Sequence, residues 1–396
     1  RPGYRYRRST RGNNGSIRAH NPSLTKGFAI DTVYDNSIPK PLFVRRSKDP
    51  RLGALLGIAL VESGSIDGSL VSWEEIADAA EWQGLLLGNG LSVNVWPNFV
   101  YDSLFDHAQD GGGLTVEDRA LFQDTPNFER VLADLNVAIR TCGVVGIDTS
   151  PLYARYRSIQ LALGHAIREV HLQRSRVPDT TLETIRDVLK QFEWVFTTSY
   201  DLLVYWAMGY GGRFKPFVDC FRWGGHCEFD PNRADVFVGQ IPVYFLHGAL
   251  HLVAGGSGTT WKLRNNQIRT LLDQFGQPIE GDLQARALLV TEGSSQDKLR
   301  AIEGNDYLAH ALERLRECEL PMIVFGSSLS EQDRHLVDAL NEHPERPVAV
   351  SMRPGPKRDL AIRQADIYGR LEADRLMFFD ATTHPLGQPG IAALSE

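Results

Sequence analysis

The sequence lacks any run of 18 consecutive apolar residues, which is about the length that a membrane-spanning helix needs. It has only 4 Cys in 396 residues, too few for a disulfide scaffold, and its 36 Gly and 20 Pro are too few for a collagen-like chain. Apolar residues make up 42% of the chain and charged residues 23%, as in folded globular proteins. Membrane-spanning, fibrous and wholly disordered classes are therefore excluded.

The sequence also lacks a C-x-x-C motif. Its cysteines are Cys142, Cys220, Cys227 and Cys318, and only Cys220 and Cys227 lie close together. A zinc ribbon needs two close pairs so that four sulfurs converge on one tetrahedral ion. His226 could add a third ligand to Cys220 and Cys227, but adjacent side chains seldom both reach one metal. We therefore expect no metal, and free thiols in a reducing cytoplasm.

Positive charge is scarce outside the first 50 residues. Residues 1–50 contain 11 Lys and Arg against 3 Asp and Glu, whereas the remaining residues contain 31 against 46. Residues 51–396 carry an excess of negative charge and are therefore a poor candidate for nucleic-acid binding. Residues 1–16 lack the apolar core of a secretory signal. We expect a cytoplasmic protein that binds no membrane. Its domains would be a basic, flexible arm (1–50), with a nucleic-acid-binding arm as the alternative, and an α/β domain (51–396).

Short apolar runs alternate with helical patterns along this second part. The runs predict strands at 85–87, 194–197, 236–238, 243–246, 288–291, 322–325, 348–350 and 376–379. Helical periodicity predicts helices at 98–108, 128–140, 153–172, 182–192, 307–316, 331–340 and 357–371. Alternation of this kind predicts an α/β fold with a mainly parallel, Rossmann-like sheet that is covered on both faces. Residues 112–192 contain no predicted strand and are interpreted as a helical insertion or cap.

Two predicted strands end in glycine turns. Gly88-Asn89-Gly90-Leu91-Ser92 follows the first strand, and Gly326-Ser327-Ser328 follows the strand at 322–325. A strand, a glycine turn and a helix allow backbone N–H groups to approach a pyrophosphate, and serine hydroxyls can bind a ribose or a phosphate. The first turn lacks the third glycine of the dinucleotide fingerprint, with Ser92 near its place. The alternative is a pair of tight turns with capping serines.

Two further strands end in polar residues. Thr197-Thr198-Ser199-Tyr200-Asp201 follows an apolar run, and His247 follows the run at 243–246 and precedes Gly248. Ligands bind at the carboxyl ends of parallel strands, and histidine exchanges protons near neutral pH. The alternatives are helix capping by Thr198 or Ser199 and a structural histidine. His251, four residues on, is interpreted as structural.

In this order, the motifs Gly-x-Gly-x-Ser, Thr-x-x-Tyr-Asp, Leu-His-Gly and Gly-x-Ser-Leu resemble the sirtuin-like NAD-binding fold. With their surroundings, they look like a bacterial sirtuin-like family of unassigned function over residues 82–380. The segments that carry this resemblance are 88–92, 99–108, 127–135, 200–206, 244–252, 291–293 with Lys298, 307–308 and 326–333.

The resemblance implies that the chain binds NAD as substrate or ligand. The pyrophosphate would contact Gly88, Asn89, Gly90 and Ser92. The adenosine ribose would contact Gly326, Ser327 and Ser328, and Thr198 would line the cofactor site. Asp201 would lie near the nicotinamide ribose, and His247 would be the general base. Ser199 stands where sirtuin-like sites usually carry Asn, and it joins Asp201 and His247 as a candidate catalytic residue.

The absence of a four-cysteine zinc module disfavours a sirtuin deacylase. The resemblance instead favours a NAD glycohydrolase, as in sirtuin-like bacterial anti-phage effectors. Its transition state would resemble an oxocarbenium ion, which a nearby carboxylate could stabilise. The alternative is a non-catalytic nucleotide-binding or sensing module, because Ser199 replaces the usual Asn. Besides a small-molecule nucleotide, a second copy of the chain is a candidate partner.

Overall fold

The structure is a computed structural model that describes 11 segments of the chain. These segments are residues 66–99, 104–111, 113–126, 128–212, 214–222, 227–233, 239–255, 259–263, 270–274, 285–290 and 294–394. The predicted arm (1–50), the predicted strand at 236–238, the segment 291–293 and His226 lie outside the described residues.

Strands and helices alternate along the described chain. The strands are β1 Gly84–Leu87, β2 Trp194–Thr197, β3 Phe217–Val218, β4 Ile241–Phe245, β5 Gly248–Ala254, β6 Thr260–Lys262, β7 Arg286–Leu289, β8 Met322–Phe325, β9 Pro347–Met352 and β10 Arg375–Asp380. The helices are α1 Trp73–Ala77, α2 Gly90–Val95, α3 Leu104–Asp110, α4 Val116–Ala120, α5 Phe128–Val144, α6 Ser150–Val170, α7 Asp179–Leu189, α8 Leu203–Met208, α9 Leu271–Gln274, α10 Ser295–Glu303, α11 Asp306–Arg316, α12 Arg334–Asn341 and α13 Lys357–Arg370.

The main sheet has seven parallel strands in the order β10-β9-β8-β1-β2-β4-β3. Every residue of β1, β4 and β8 is buried, which explains why these strands are continuous apolar runs without alternation. From β4 to β10 the order corresponds to the 3-2-1-4-5-6 order of doubly wound dinucleotide-binding folds. The predicted α/β fold with a mainly parallel sheet is confirmed.

A second sheet of three antiparallel strands, in the order β6-β5-β7, branches from the end of β4. The sequence predicted neither β5 nor β6, and it assigned the run at 288–291 to the parallel sheet. All seven residues of β5 are buried, so this strand lacks the period-two alternation that marks a half-exposed strand. Only its pairing with β6 and β7 distinguishes β5 from a loop.

The apolar core has two parts. The larger part lies on both sides of the parallel sheet and includes Leu182 and Ile185 of α7. The smaller part joins α3, α5 and α6 to residues of the antiparallel sheet, such as Leu250 and Leu289. The helices of the predicted insertion (112–192) therefore belong to two packing units, because α7 covers the main sheet.

The helix predicted at 98–108 begins too early. A 3₁₀ turn occupies Pro97–Phe99, and α3 spans Leu104–Asp110. The helix predicted at 331–340 likewise begins as a 3₁₀ turn at Glu331–Asp333 and becomes α-helical at Arg334. Among the described residues, no helix is both long enough and apolar enough to cross a bilayer.

Candidate functional site

The predicted site residues follow four neighbouring strands of the parallel sheet. Leu87 at the end of β1 pairs with Thr197 of β2 and with Phe325 of β8, and Thr197 pairs with Phe245 of β4. The segments that begin at Gly88, Thr198, Leu246 and Gly326 therefore leave the sheet at one edge. The order of connections reverses between β1 and β8, which is where ligands bind in open α/β sheets.

The glycines of the two turns pack against each other. The Gly90 N–H donates to the Gly326 carbonyl at 2.8 Å. A Cβ on Gly88 would lie 2.4 Å from the Gly326 oxygen, and one on Gly90 would lie 2.6 Å from the Gly326 Cα. Gly326 has φ +71°, a conformation that glycine adopts readily. These glycines thus allow two backbones to approach closely, so a bulkier residue at Gly90 would disturb the fold as well as any ligand.

Asp201 joins the β1 and β2 turns from the interior. Its Oδ2 accepts hydrogen bonds from the hydroxyls of Ser92 and Ser199, and these two hydroxyl oxygens are 3.0 Å apart. Its Oδ1 accepts the Leu203 N–H at 2.8 Å, at the start of α8. Asp201 is only 1% exposed. Its carboxylate therefore has a structural role, because its hydrogen bonds fix the loop after β2 against α2.

The remaining polar groups of these turns also have partners. The Ser199 hydroxyl lies 3.4 Å from Asn89 Oδ1, and the Asn89 amide donates to the Phe99 carbonyl at 2.9 Å. The Thr198 N–H donates to the Leu87 carbonyl at 2.9 Å. His171, which sequence reasoning missed, accepts the Leu202 N–H on its Nε2 at 3.2 Å. Burial lowers the pKa of His171, although the charge of Asp201 partly offsets this.

His247 lies at the corner where β4 passes into the antiparallel sheet. Gly248 makes this corner with φ +74°, and a Cβ there would lie 2.0 Å from the Leu288 carbonyl oxygen. The His247 carbonyl accepts the Val290 N–H at 2.8 Å, and the Tyr307 hydroxyl accepts the Phe245 N–H at 2.9 Å. The backbone on both sides of His247 is therefore fixed.

A second histidine contacts His247. His335 of α12 places its Nε2 2.9 Å from the Nε2 of His247, within hydrogen-bond distance. The His335 Nδ1 lies 3.3 Å from the Ser295 hydroxyl, which also accepts the His335 N–H at 3.1 Å. A hydrogen bond between two imidazoles requires one donor and one acceptor nitrogen. His335 thus orients the His247 ring.

Charged groups complete this cluster. Lys298 donates to Asp333 Oδ1 at 2.8 Å, and both lie beside the histidine pair. Ligand atoms of His247, Asp333 and His335 lie within 4.8 Å of one another, so these three could hold a metal ion. Sequence reasoning considered only cysteine-based metal sites. All four cysteines are free, and three of them are buried.

Both histidines of the pair are neutral at neutral pH. Burial, together with the neighbouring His335, lowers the pKa of His247 to about 3. Burial lowers the pKa of His335 to about 4, while Asp333 acts in the opposite direction. Burial also lowers the pKa of His384 to about 3, away from this cluster. Neutral imidazoles can accept a hydrogen bond from water or a hydroxyl without first losing a proton.

We expect these buried histidines to make folding strongly pH-dependent. Unfolding restores an ordinary pKa near 6.5, so the unfolded state binds more protons as the pH falls below 6.5. The stabilisation is fully present above pH 6.5. Below this pH, each buried histidine lowers the free energy of unfolding by up to about 1.4 kcal/mol per pH unit until its folded pKa is reached. Urea unfolding between pH 7.5 and 5.0 measures this slope.

A matched pair of variants tests the origin of this slope. His384→Asn should reduce the loss of unfolding free energy between pH 6.5 and 5.0. His165→Asn, which replaces an exposed histidine of α6, should leave the slope as in the wild type. An unchanged slope in His384→Asn would contradict the assignment.

A cavity of about 480 Å³ opens at the same edge of the sheet. Its lining includes Gly90, Gly326, Ser327 and Ser328 but, among the described residues, neither Ser199, Asp201 nor His247. Its volume is within the usual range for ligand pockets. Strands are about 4.8 Å apart, so the end of β4 is about 14 Å from the end of β8. The predicted site therefore has a glycine–serine half and a histidine half.

Residues 85–385 match the family described as a domain of unknown function, DUF4917. The chain belongs to this family. No curated protein matches its sequence. The chain is similar to a solved structure described as "Structural Basis for the Mechanism and Regulation of Sir2 Enzymes", with 12% identity and a TM-score of 0.32, over 78% of this chain and 90% of that one.

DUF4917 membership confirms the prediction of a family of unassigned function. At 12% identity and a TM-score of 0.32, the similarity to the Sir2 structure says nothing about activity. The relation to anti-phage NAD hydrolases stays a prediction, as do the individual roles of the site residues.

Besides His171, sequence reasoning missed three members of the site, which are His335, its neighbour Asp333, and Ser295. One signal for His335 was present. It lies among Leu336, Val337, Ala339 and Leu340 on the buried side of α12, where a polar side chain needs a partner. The identity of that partner could not be read from the sequence, because 88 residues separate His247 from His335.

Proposed function

We propose that this protein binds a nicotinamide adenine dinucleotide across the carboxyl edge of the parallel sheet and hydrolyses its nicotinamide–ribose bond. The observation that carries the proposal is the His247–His335 hydrogen bond of 2.9 Å, at the same edge as the paired glycine turns. The motif resemblance to sirtuin-like folds and the 3-2-1-4-5-6 strand order support a dinucleotide as the ligand.

In this proposal the two halves of the site hold the two halves of the dinucleotide. The adenosine ribose occupies the cavity beside Ser327 and Ser328, and the pyrophosphate crosses the glycine turns between β8 and β1. The nicotinamide ribose then extends over β2 towards His247. Three strand spacings separate the two halves, a span that suits an extended dinucleotide better than a mononucleotide.

His247 would accept a hydrogen bond from the attacking water. In the productive tautomer, Nε2–H donates to His335 and Nδ1 is left to receive that bond. With a pKa of about 3, His247 is a weak base. A weak base suffices if the nicotinamide–ribose bond breaks first, because the resulting oxocarbenium-like ribose attracts water strongly. Water supplies the hydroxyl to the ribose carbon, nicotinamide leaves with the bonding electrons, and a proton is released.

The function is tested by incubating the purified full chain with NAD and NADP and quantifying nicotinamide and the corresponding ADP-ribose. We expect the two products in equal amounts. Saturable dinucleotide binding without any release of nicotinamide would reject hydrolysis and leave a binding function. NAD-dependent removal of acetyl groups from an acetyl-lysine peptide would instead favour a deacylase. A role in bacterial anti-phage defence is part of the proposal and rests on the motif resemblance alone; loss of phage protection in a His247→Ala strain tests it.

A non-catalytic nucleotide-binding or sensing module is the second candidate, and one observation favours it. The hydroxyls of Ser92 and Ser199 both donate to Asp201 Oδ2, and Asp201 Oδ1 accepts the Leu203 N–H. These buried groups satisfy one another, so they offer the reacting ribose little polar contact. A site of this kind could hold a nucleotide without cleaving it.

Replacing Ser199 with asparagine distinguishes the two candidates. Ser199→Asn restores the residue usual at this position in sirtuin-like sites, so we expect nicotinamide release to increase, or to appear if the wild type has none. The Ser199 side chain is only 6% exposed, so thermal unfolding must show that the larger residue is tolerated. Ser199→Ala is the control and should not increase release. A folded Ser199→Asn variant with unchanged release would contradict the expected role of this position.

A further inference from the structure

The cavity beside the glycine turns carries an excess of positive charge. Arg353, the residue directly after β9, lines it together with Arg363 and Arg370 of α13. Among the described residues, Asp366 is the only carboxylate in the lining. Three guanidinium groups therefore face one carboxylate in a concave site, which concentrates positive potential there.

Two of these arginines are available to a ligand. In the part of the chain that the structure describes, neither Arg353 nor Arg363 forms an ion pair or a hydrogen bond, and both are exposed. Arg370 is fixed instead, because its Nε donates to the Asp366 carbonyl at 3.0 Å and its Nη1 donates to the Leu329 carbonyl. The planar donors of guanidinium groups match the oxygens of a phosphate.

We propose that the ligand carries a phosphate on its adenosine ribose, so that the preferred dinucleotide is of the NADP class rather than NAD. This inference rests on the proposed dinucleotide function, which places the adenosine ribose beside Ser327 and Ser328. In dinucleotide-binding folds a carboxylate accepts the 2′-hydroxyl of NAD, whereas an arginine accommodates the 2′-phosphate of NADP. The residue that follows β9, beside these serines, is Arg353 and not an acid.

Two nucleotides with the same number of phosphates test this inference. Adenosine 2′,5′-bisphosphate carries a phosphate on the ribose 2′-oxygen, whereas 5′-ADP carries both phosphates at the 5′ position. In calorimetric titrations of the full chain at low salt, the 2′,5′ compound should bind at least about ten times more tightly than 5′-ADP. A difference of this size is expected from charge-assisted hydrogen bonds between the arginines and the 2′-phosphate. The preference should shrink as salt is added.

Arginine variants test whether Arg353 and Arg363 cause the preference for the 2′,5′ compound. Arg353→Gln combined with Arg363→Gln should bring the affinity ratio of the two nucleotides close to one. Arg358→Gln, at an exposed position of α13 outside the cavity lining, should retain the wild-type ratio. All three positions are exposed, and thermal unfolding verifies that the variants fold.

The possible failures are distinct. Equal or weaker binding of the 2′,5′ compound, with 5′-ADP or NAD still bound, would overturn this inference and leave the dinucleotide proposal standing. A preference that survives in the double arginine variant would also overturn it. If neither these nucleotides nor NAD and NADP bind, both the inference and the proposed function are wrong.

Discussion

Replacing His247 with alanine should lower the rate of nicotinamide release about 100-fold or more, the range expected for a side chain that handles the proton of an attacking water. The affinity for the dinucleotide should change little, because His247 does not line the cavity in which the adenosine half would bind. Single-turnover release and equilibrium binding, measured on the same preparation, separate the two quantities. Unchanged release would mean that His247 is a structural residue.

A variant of His335 tests whether the hydrogen bond to His247 contributes to catalysis. His335→Gln removes the ring that contacts His247, and we expect about a tenfold loss of release rather than a hundredfold loss. In acid, where it is protonated, His335 lowers the pKa of His247. Its removal should therefore shift the acid limb of the pH–rate profile to higher pH, an effect that a merely structural role would not produce.

Chelation separates hydrogen bonding from metal binding in this cluster. Because His247, Asp333 and His335 could hold an ion, the wild type should be dialysed against a chelator. We expect release to be unaffected, since the 2.9 Å contact is a hydrogen bond and Lys298 already neutralises Asp333. Loss of release that zinc restores would contradict the hydrogen-bonded pair.

Replacing Gly248 with alanine should lower the free energy of unfolding by about 3 kcal/mol or more. The left-handed conformation at φ +74° costs an alanine about 1–2 kcal/mol, and forced overpacking adds about 1–3 kcal/mol. The overpacking arises because the new Cβ would lie 2.0 Å from the Leu288 carbonyl oxygen. Urea denaturation measures the change, and the residual folded protein should have a displaced His247.

Gly146 is a matched control for Gly248. It has φ +76°, but a Cβ there would meet no described atom within 4 Å. Gly146→Ala should therefore cost only the conformational part, about 1–2 kcal/mol. Equal losses in the two variants would mean that the clash at Gly248 relaxes without cost and that the corner does not hold His247 rigidly.

The parallel sheet and the places where polar residues leave it could be predicted from the sequence. Apolar runs predicted β2 and β8 at their observed bounds, because strands buried on both faces are continuous apolar segments that local composition reveals. The glycine turns after β1 and β8 were likewise visible, since a strand, a glycine and a helix form a local pattern. These features require interactions over only a few residues.

The contacts of these residues could not be predicted, because they join segments that are distant along the chain. Asp201 lies 109 residues from Ser92, and His335 lies 88 residues from His247. Positions 88 and 90 require glycine because the Gly326 backbone leaves no room for a Cβ, and not only because a ligand approaches them. The antiparallel sheet, the histidine pair and the arginines after β9 and on α13 arise where distant segments meet. The local sequence around a residue indicates whether its side chain is buried and which backbone conformation it prefers. The residue that it contacts depends on how the whole chain packs.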